Sequence, residues 1–217
     1  MIDLHTHTVF SDGALVPAEH LRRAQAAGYR GVALTDHADP SNIQFILENT
    51  LKLVRQYGPF FDVEVLAGVE LTHLPPGLIP EMVQQARDLG AQIVVVHGQT
   101  LVEPVPEGTN LAAIEAGADI LGHPGLITET EAELAARKGV ALEITTRKGH
   151  SLSNGHVLGA ARRFGARLVI NNDAHEPSDF LSREMRRAVA LGAGMTDEEV
   201  RAADQTTLEI FQKSLKK

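Results

Sequence analysis

The chain of 217 residues has no cysteine and no tryptophan, two tyrosines, seven phenylalanines, and fewer basic than acidic residues. Without cysteine there are no disulfides, thiolate metal ligands or cysteine nucleophiles, so any metal must be held by nitrogen and oxygen. With 20 Lys+Arg against 28 Asp+Glu the formal net charge is −8, which disfavours nonspecific binding to a nucleic acid duplex through a basic surface. No basic run and no series of aromatics offers a single strand something to stack on. No stretch approaches the roughly 18 consecutive apolar residues of a membrane span, and Met1-Ile2-Asp3-Leu4-His5 lacks a basic segment ahead of an apolar run. A soluble cytoplasmic protein with no membrane partner is therefore expected. What the chain does have is histidine, whose ten copies exceed Phe, Tyr and Trp combined. Histidine at that density points to metal or proton chemistry.

A composition of 43% hydrophobic and 22% charged residues supports one domain spanning residues 1–217 with a sizeable core. Short apolar runs alternate with amphipathic stretches seven times, the pattern of parallel strands joined by helical crossovers. The runs are Ile2 to Leu4, Gly31 to Leu34, Val63 to Val69, Ala91 to Val96, Asp119 to Leu121, Val140 to Ile144 and Arg167 to Ile170. Helices are expected between them. Pro17 opens the first and Gly28 ends it, Thr128-Glu129-Thr130-Glu131 supplies a capping box, and another begins near Asp179. A final helix is expected near Thr196 to Gln212, with Lys213 to Lys217 a solvated end. The expected product is an α/β fold, a (β/α)7 barrel one unit short of the eight-stranded form.

Active sites of parallel barrels gather at the carboxyl ends of the strands. The residues at or just past the ends of the seven runs are His5, His7 and Asp12; Asp36 and His37; Glu70 and His73; His97; His123; Glu143, Arg147 and His150; and Asp173 and His175. A barrel closes all seven ends around one axis, where clustered imidazoles and carboxylates stay unsatisfied without cations. Metal is the economical reading. Residues two apart on an extended strand face the same side, so both rings of His5-Thr6-His7 can reach one ion, and Asp173-Ala174-His175 repeats that spacing.

These motifs together resemble the PHP (polymerase and histidinol phosphatase) family. The resemblance rests on Asp3-Leu4-His5-Thr6-His7-Thr8, Ser11-Asp12-Gly13, Leu34-Thr35-Asp36-His37, Gly68-Val69-Glu70, His97, His123 and Asn172-Asp173-Ala174-His175. It implies a distorted (β/α)7 barrel and three divalent transition-metal ions. One would be held by His5, His7, Glu70 and Asp173, a second by Glu70, His97 and His123, and a third by Asp12, His37 and His175, with Glu70 bridging the first two. The nitrogen and oxygen donors suit zinc, manganese, iron or cobalt better than calcium. Six neutral imidazoles and three carboxylates carry −3, so three divalent ions would leave +3, a charge suited to a phosphate monoester dianion.

The chemistry expected from this resemblance is phosphoester hydrolysis by a hydroxide bridging the first two metals, with Glu70 and Asp173 serving catalysis as ligands of those metals. Arg147 is placed to clamp phosphate oxygens, and His150 to protonate the leaving group. Lys148, His73 and Arg183 are further candidates for substrate contact, while His20 is expected on a helix surface. Asp36 and Glu143 are expected to orient metal-binding histidines. The substrate class is a small-molecule phosphate ester such as histidinol phosphate or a nucleotide. Other readings are a phosphodiesterase or exonuclease acting on nucleic acid ends, hydrolysis of a carbon–nitrogen bond, and a non-catalytic metal-binding protein.

Overall fold

In the computed structural model, which describes residues 1–217, every pairing between named strands is parallel, because a helix or loop crossover separates each strand from the next. The strands are β1 (Ile2–Asp3), β2 (Gly31–Leu34), β3 (His37–Ala38), β4 (Glu64–Leu71), β5 (Ile93–His97), β6 (Ile120–Gly122), β7 (Ala141–Thr145) and β8 (Leu168–Asn171). Seven of them run in the order β1-β2-β4-β5-β6-β7-β8, and the two-residue β3 adds to β4 with His37 opposite Glu70. The sheet curls until its ends nearly meet. Thr6 and Ala174 form an isolated bridge just beyond β1 and β8, and Leu4 N–H donates to Asn171 Oδ1 at 3.1 Å. The fold is the expected distorted (β/α)7 barrel, with β3 as the unexpected addition.

Eight helices surround it: α1 (Pro17–Ala26), α2 (Ile43–Tyr57), α3 (Ile79–Asp88), α4 (Thr109–Ala116), α5 (Glu129–Lys138), α6 (Asn154–Phe164), α7 (Arg183–Gly192) and α8 (Asp197–Ser214). The capping box of α5 forms as expected, with Thr128 accepting from the Glu131 N–H and Glu131 accepting from the Thr128 N–H. The start of α7 is corrected from Asp179 to Arg183. The Ser182 hydroxyl caps that helix, while the Asp179 carboxylate is occupied by the His175 and Glu176 N–H groups. At the chain end α8 runs two residues past the expected Gln212 to the buried Ser214, while Lys213, Leu215, Lys216 and Lys217 are exposed as expected and Lys217 Nζ donates to Gln92 O at 2.9 Å. No helix is long and apolar enough to cross a membrane.

Alternation along each strand sorts the core into two layers and aims the polar ends. Ile93 and Val95 of β5, Ile120 of β6, Ala141 of β7 and Val169 of β8 share the barrel interior with Leu4, Leu66 and Phe211 of α8. Val94, Val96, Leu121, Leu142, Ile144 and Ile170 face outward into the sheet–helix layer. Continuing the inward parity by one more step lands on His97, Gly122, Glu143 and Asn171. The apolar plug therefore gives way to polar side chains at the carboxyl ends.

Candidate metal centre

All nine expected positions converge on that rim. Glu70, wholly buried in β4, has Oε1 3.2 Å from His5 Nε2 and 3.4 Å from His123 Nε2, and Oε2 2.7 Å from His37 Nδ1. Asp173 Oδ1 lies 3.1 Å from His7 Nε2 and 3.7 Å from His5 Nε2. Asp12 Oδ1 lies 3.2 Å from His175 Nε2 and 3.5 Å from His37 Nε2. Donor atoms within 4.8 Å of one another form the groups Glu70–His97–His123, His5–His7–Glu70, His5–His123–Asp173 and His7–Asp12–His37–His175. The second and third expected sets are thus brought together, the third with His7 added. The first set of four divides between two groups.

Backbone geometry serves these side chains directly. Asp173 and His123 sit at φ 53° and 25°, conformations that L residues seldom adopt and that the surrounding packing must impose. Gly122 has no side chain because a Cβ there would lie 3.2 Å from His5 Cε1 and 3.3 Å from Glu70 Oε1.

Hydrogen bonds orient the rings. Glu143 Oε1 accepts from His5 Nδ1 at 2.9 Å and from Asn171 Nδ2 at 2.8 Å, and Oε2 accepts from the His123 N–H at 3.0 Å. The expectation for Glu143 thus agrees with its contacts. Asp36 instead accepts from Thr8 N–H at 2.6 Å and Ser11 Oγ at 2.9 Å, so it braces the loop leading to Asp12 and orients no histidine. His175 Nδ1 donates to Asp173 O at 2.9 Å.

The electrostatics are those of imidazoles and carboxylates buried against one another. Burial opposes charge on His5, yet Glu143, Glu70 and Asp173 outweigh it and raise the ring's pKa well above the ordinary value. Burial would raise Glu70 and Asp173, but the surrounding imidazoles hold both carboxyls well below the usual range. His7 is driven down to about 3 by burial and by the neighbouring His37. Even so, His5 Nε2, both nitrogens of His7, Glu70 Oε1, His123 Nδ1 and Asp173 Oδ1 are buried without a hydrogen-bond partner. Orphaned buried donors and acceptors are costly and rare. Divalent ions among them would satisfy those atoms, so the residues present fit the metals that the sequence implies.

The candidate substrate contacts scatter. His150 is buried and stacks on His123 with ring centroids 4.2 Å apart, its Nδ1 2.7 Å from Thr100 Oγ1. Burial, and then His123, lower its pKa to about 4. His73 is exposed beside the rim, Nε2 3.1 Å from Glu103 Oε2. Arg147 Nη1 donates to Asp179 Oδ2 at 3.0 Å, and both line a neighbouring cavity of about 380 Å³ with Lys148, Asn172 and Glu176. Arg183 is not brought to the site: it lines a cavity with Met1, Ile2, Arg30 and Glu64, at the amino ends of the strands. The reason is the late start of α7, which carries its first turn to the opposite face. His20 is not on the surface either; it is 1% exposed and packs edge-on against Phe180 with centroids 4.8 Å apart. Glu103 escaped sequence reasoning. It sits in Val102-Glu103-Pro104, past the end of β5, yet its carboxylate reaches His97 Nε2 at 3.0 Å and His150 Nε2 at 3.4 Å. The His97 hydrogen bond, against burial, lowers its pKa to about 2. Its position on the loop after a strand that ends in histidine was the available signal.

Residues 3–101 match the PHP domain model. An uncharacterized protein of Methanocaldococcus jannaschii is 48% identical over 217 residues, covering 99% of this chain and 98% of that protein. A ribonuclease P protein component 3 of Methanosarcina mazei is 29% identical over 213 residues, covering 91% of this chain and 82% of its own length. A probable phosphatase of Thermoanaerobacter sp. is 27% identical over 245 residues, covering 100% of this chain and 96% of that protein.

Proposed function

The chain belongs to the PHP family, and from that membership we propose that it is a metal-dependent phosphoesterase acting on a small-molecule phosphate monoester. The observation that carries the reading is the convergence of unpartnered donors on one rim: His5 Nε2, His7 Nδ1 and Nε2, Glu70 Oε1, His123 Nδ1 and Asp173 Oδ1. The three ions would be held by His5, His7, Asp12, His37, Glu70, His97, His123, Asp173 and His175, with Glu70 shared between donor groups. Bound there, they would neutralise phosphoryl oxygens and lower the pKa of water toward neutrality. Glu143 keeps the His5 proton on Nδ1, so that Nε2 presents its lone pair inward. His150, held neutral at pH 7, offers a hydrogen bond to the leaving oxygen.

A phosphodiester substrate is the second reading, favoured by the name of the ribonuclease P relative and opposed by the net charge of −8. Metal-reconstituted protein should release inorganic phosphate from a panel of monoesters, and prior chelation should abolish the release. Shortening of oligonucleotides with no phosphate released from monoesters would transfer the assignment to the diester reading. Cleavage of an amide substrate alone would transfer it to carbon–nitrogen chemistry.

Arg147, two residues beyond the end of β7 in the neighbouring cavity, serves this reading as a phosphate contact. Charge-assisted bonds of this kind contribute about 1.5 to 3 kcal/mol. Arg147→Ala should therefore lower kcat/KM by roughly 10- to 150-fold with metal content unchanged, and Arg147→Lys should recover part of the loss. Unchanged kinetics would leave Arg147 only its pairing with Asp179.

A further inference from the structure

Glu103 stands outside the nine positions, yet the segment that carries it is built to hold its carboxylate over the centre. The segment is tied at its base by a reciprocal pair: Gln99 N–H donates to Asn110 Oδ1 at 3.0 Å, and Asn110 N–H donates to Gln99 Oε1 at 3.1 Å. Pro104 and Pro106 restrict the backbone past Glu103, and the Val105 N–H folds back to Glu103 O at 2.9 Å. On the other side, Thr100 Oγ1 meets His150 Nδ1 at 2.7 Å. The Val102 side chain covers Gly149, where a Cβ would lie 3.2 Å from Val102 Cγ1. A residue held this way is placed, not left to swing.

The carboxylate ends between two imidazoles, with Oε2 3.0 Å from His97 Nε2 and 3.1 Å from His73 Nε2. His97 Nδ1 lies 3.1 Å from Gly98 O, which can only accept, so Nδ1 carries the proton of the neutral ring. The ring's lone pair then points from Nε2 at Glu103. An imidazole nitrogen and a carboxylate oxygen 3.0 Å apart share a cation, which is a proton on Nε2 in the metal-free protein and a place that a metal ion can take. Donor atoms of His73, His97 and Glu103 lie within 4.8 Å of one another, just as those of Glu70, His97 and His123 do. One imidazole nitrogen serves one ion, so His97 cannot hold separate ions on its two sides.

We propose that Glu103 and His73 are additional ligands of the ion held by His97, which is thereby shared by inner donors, Glu70 and His123, and outer donors on the rim. This rests on reading the site as a metal centre. The inner carboxylate is wholly buried, whereas Glu103 is 36% exposed, so the outer group is the one that an arriving phosphate oxygen can displace. Glu103 then sets how tightly that ion is held and how readily it exchanges its outer ligand.

The test is metal binding, measured without turnover. Protein stripped by chelation is titrated with Zn²⁺ against a competing chromophoric chelator, and with Co²⁺ while its visible absorption is followed. Glu103→Gln should weaken one ion on the order of 10- to 100-fold and leave the others unchanged. His73→Asn should weaken the same ion, asparagine being able to keep the φ of 52° found at this position. Superimposable titrations and Co²⁺ spectra for wild type and both variants would overturn the proposal while leaving the metal centre standing. Absence of binding in wild type would overturn both readings together.

Discussion

Glu70→Gln should lose metal and activity together, and far more of both than Asp12→Asn. Glu70 is wholly buried and faces four imidazoles, with Oε1 toward His5 and His123 and Oε2 toward His37 and His7. Replacing one carboxylate oxygen by an amide removes the one negative charge that faces all four rings at once, since Asp173, Glu143 and Asp12 each meet only some of them. Metal ions supply several kcal/mol of transition-state charge stabilisation, so losing their shared carboxylate should lower turnover by roughly 10³-fold, equivalent to about 4 kcal/mol. Metal content after reconstitution should drop by more than one ion per chain, because Glu70 belongs to two donor groups. Asp12 belongs to one group and has a side chain 56% exposed, so Asp12→Asn should disturb a single ion and leave measurable turnover. Elemental analysis and phosphate release on both variants, with circular dichroism as the folding control, check this ordering. Equal losses in the two variants would remove the shared role of Glu70.

The second large effect is on stability. Gly125 has φ +64°, and a Cβ there would lie 1.9 Å from Gln99 O, which is backbone and cannot rotate away. Gly125→Ala should therefore part the turn after His123 from the segment after His97. A cost of about 3 kcal/mol or more is expected from combined strain and steric displacement, lowering Tm by roughly 6 to 12 °C for a chain of this size. Gly139→Ala is the internal comparison. It shares a positive φ, +73°, but nothing lies within 4 Å of its Cβ, so it should show only the conformational cost of about 1 to 2 kcal/mol. Thermal unfolding curves that place the two variants together would show that close approach at Gly125 contributes nothing. The expected divergence would also lower the affinity of the ion at His97 and His123, since both turns move.

Local chemistry was legible in the sequence because it repeats along the chain. Apolar runs such as Ile93-Val94-Val95-Val96 announce a strand covered on both faces, and the residue that follows must stand at its carboxyl end. That is why His97, His123, Glu70 and Asp173 were legible as neighbours before any distance was known. The capping box at Thr128 and Glu131 was legible for the same reason, its partners being three residues apart.

Tertiary structure decided whatever depends on distances across the barrel. Alternation along β7 turns Glu143 inward, but no periodicity says that it would reach His5 while Asp36, past the end of β2, turns to Thr8 and Ser11, since that depends on what the closed sheet sets beside them. Arg183 and His20 were misplaced because their positions depend on how α7 starts and how α1 packs, through contacts with Ser182 and Phe180. Glu103 was missed because a loop's reach is set by ties at its two ends, here Gln99 to Asn110 and Thr100 to His150, the latter fifty residues apart in sequence. The sequence by itself determined which donors stand at the strand ends, because alternation and helix signals are local. Which of those donors share an ion, and which loop carboxylate joins them, follow only from the curvature that brings distant strand ends within a few ångströms.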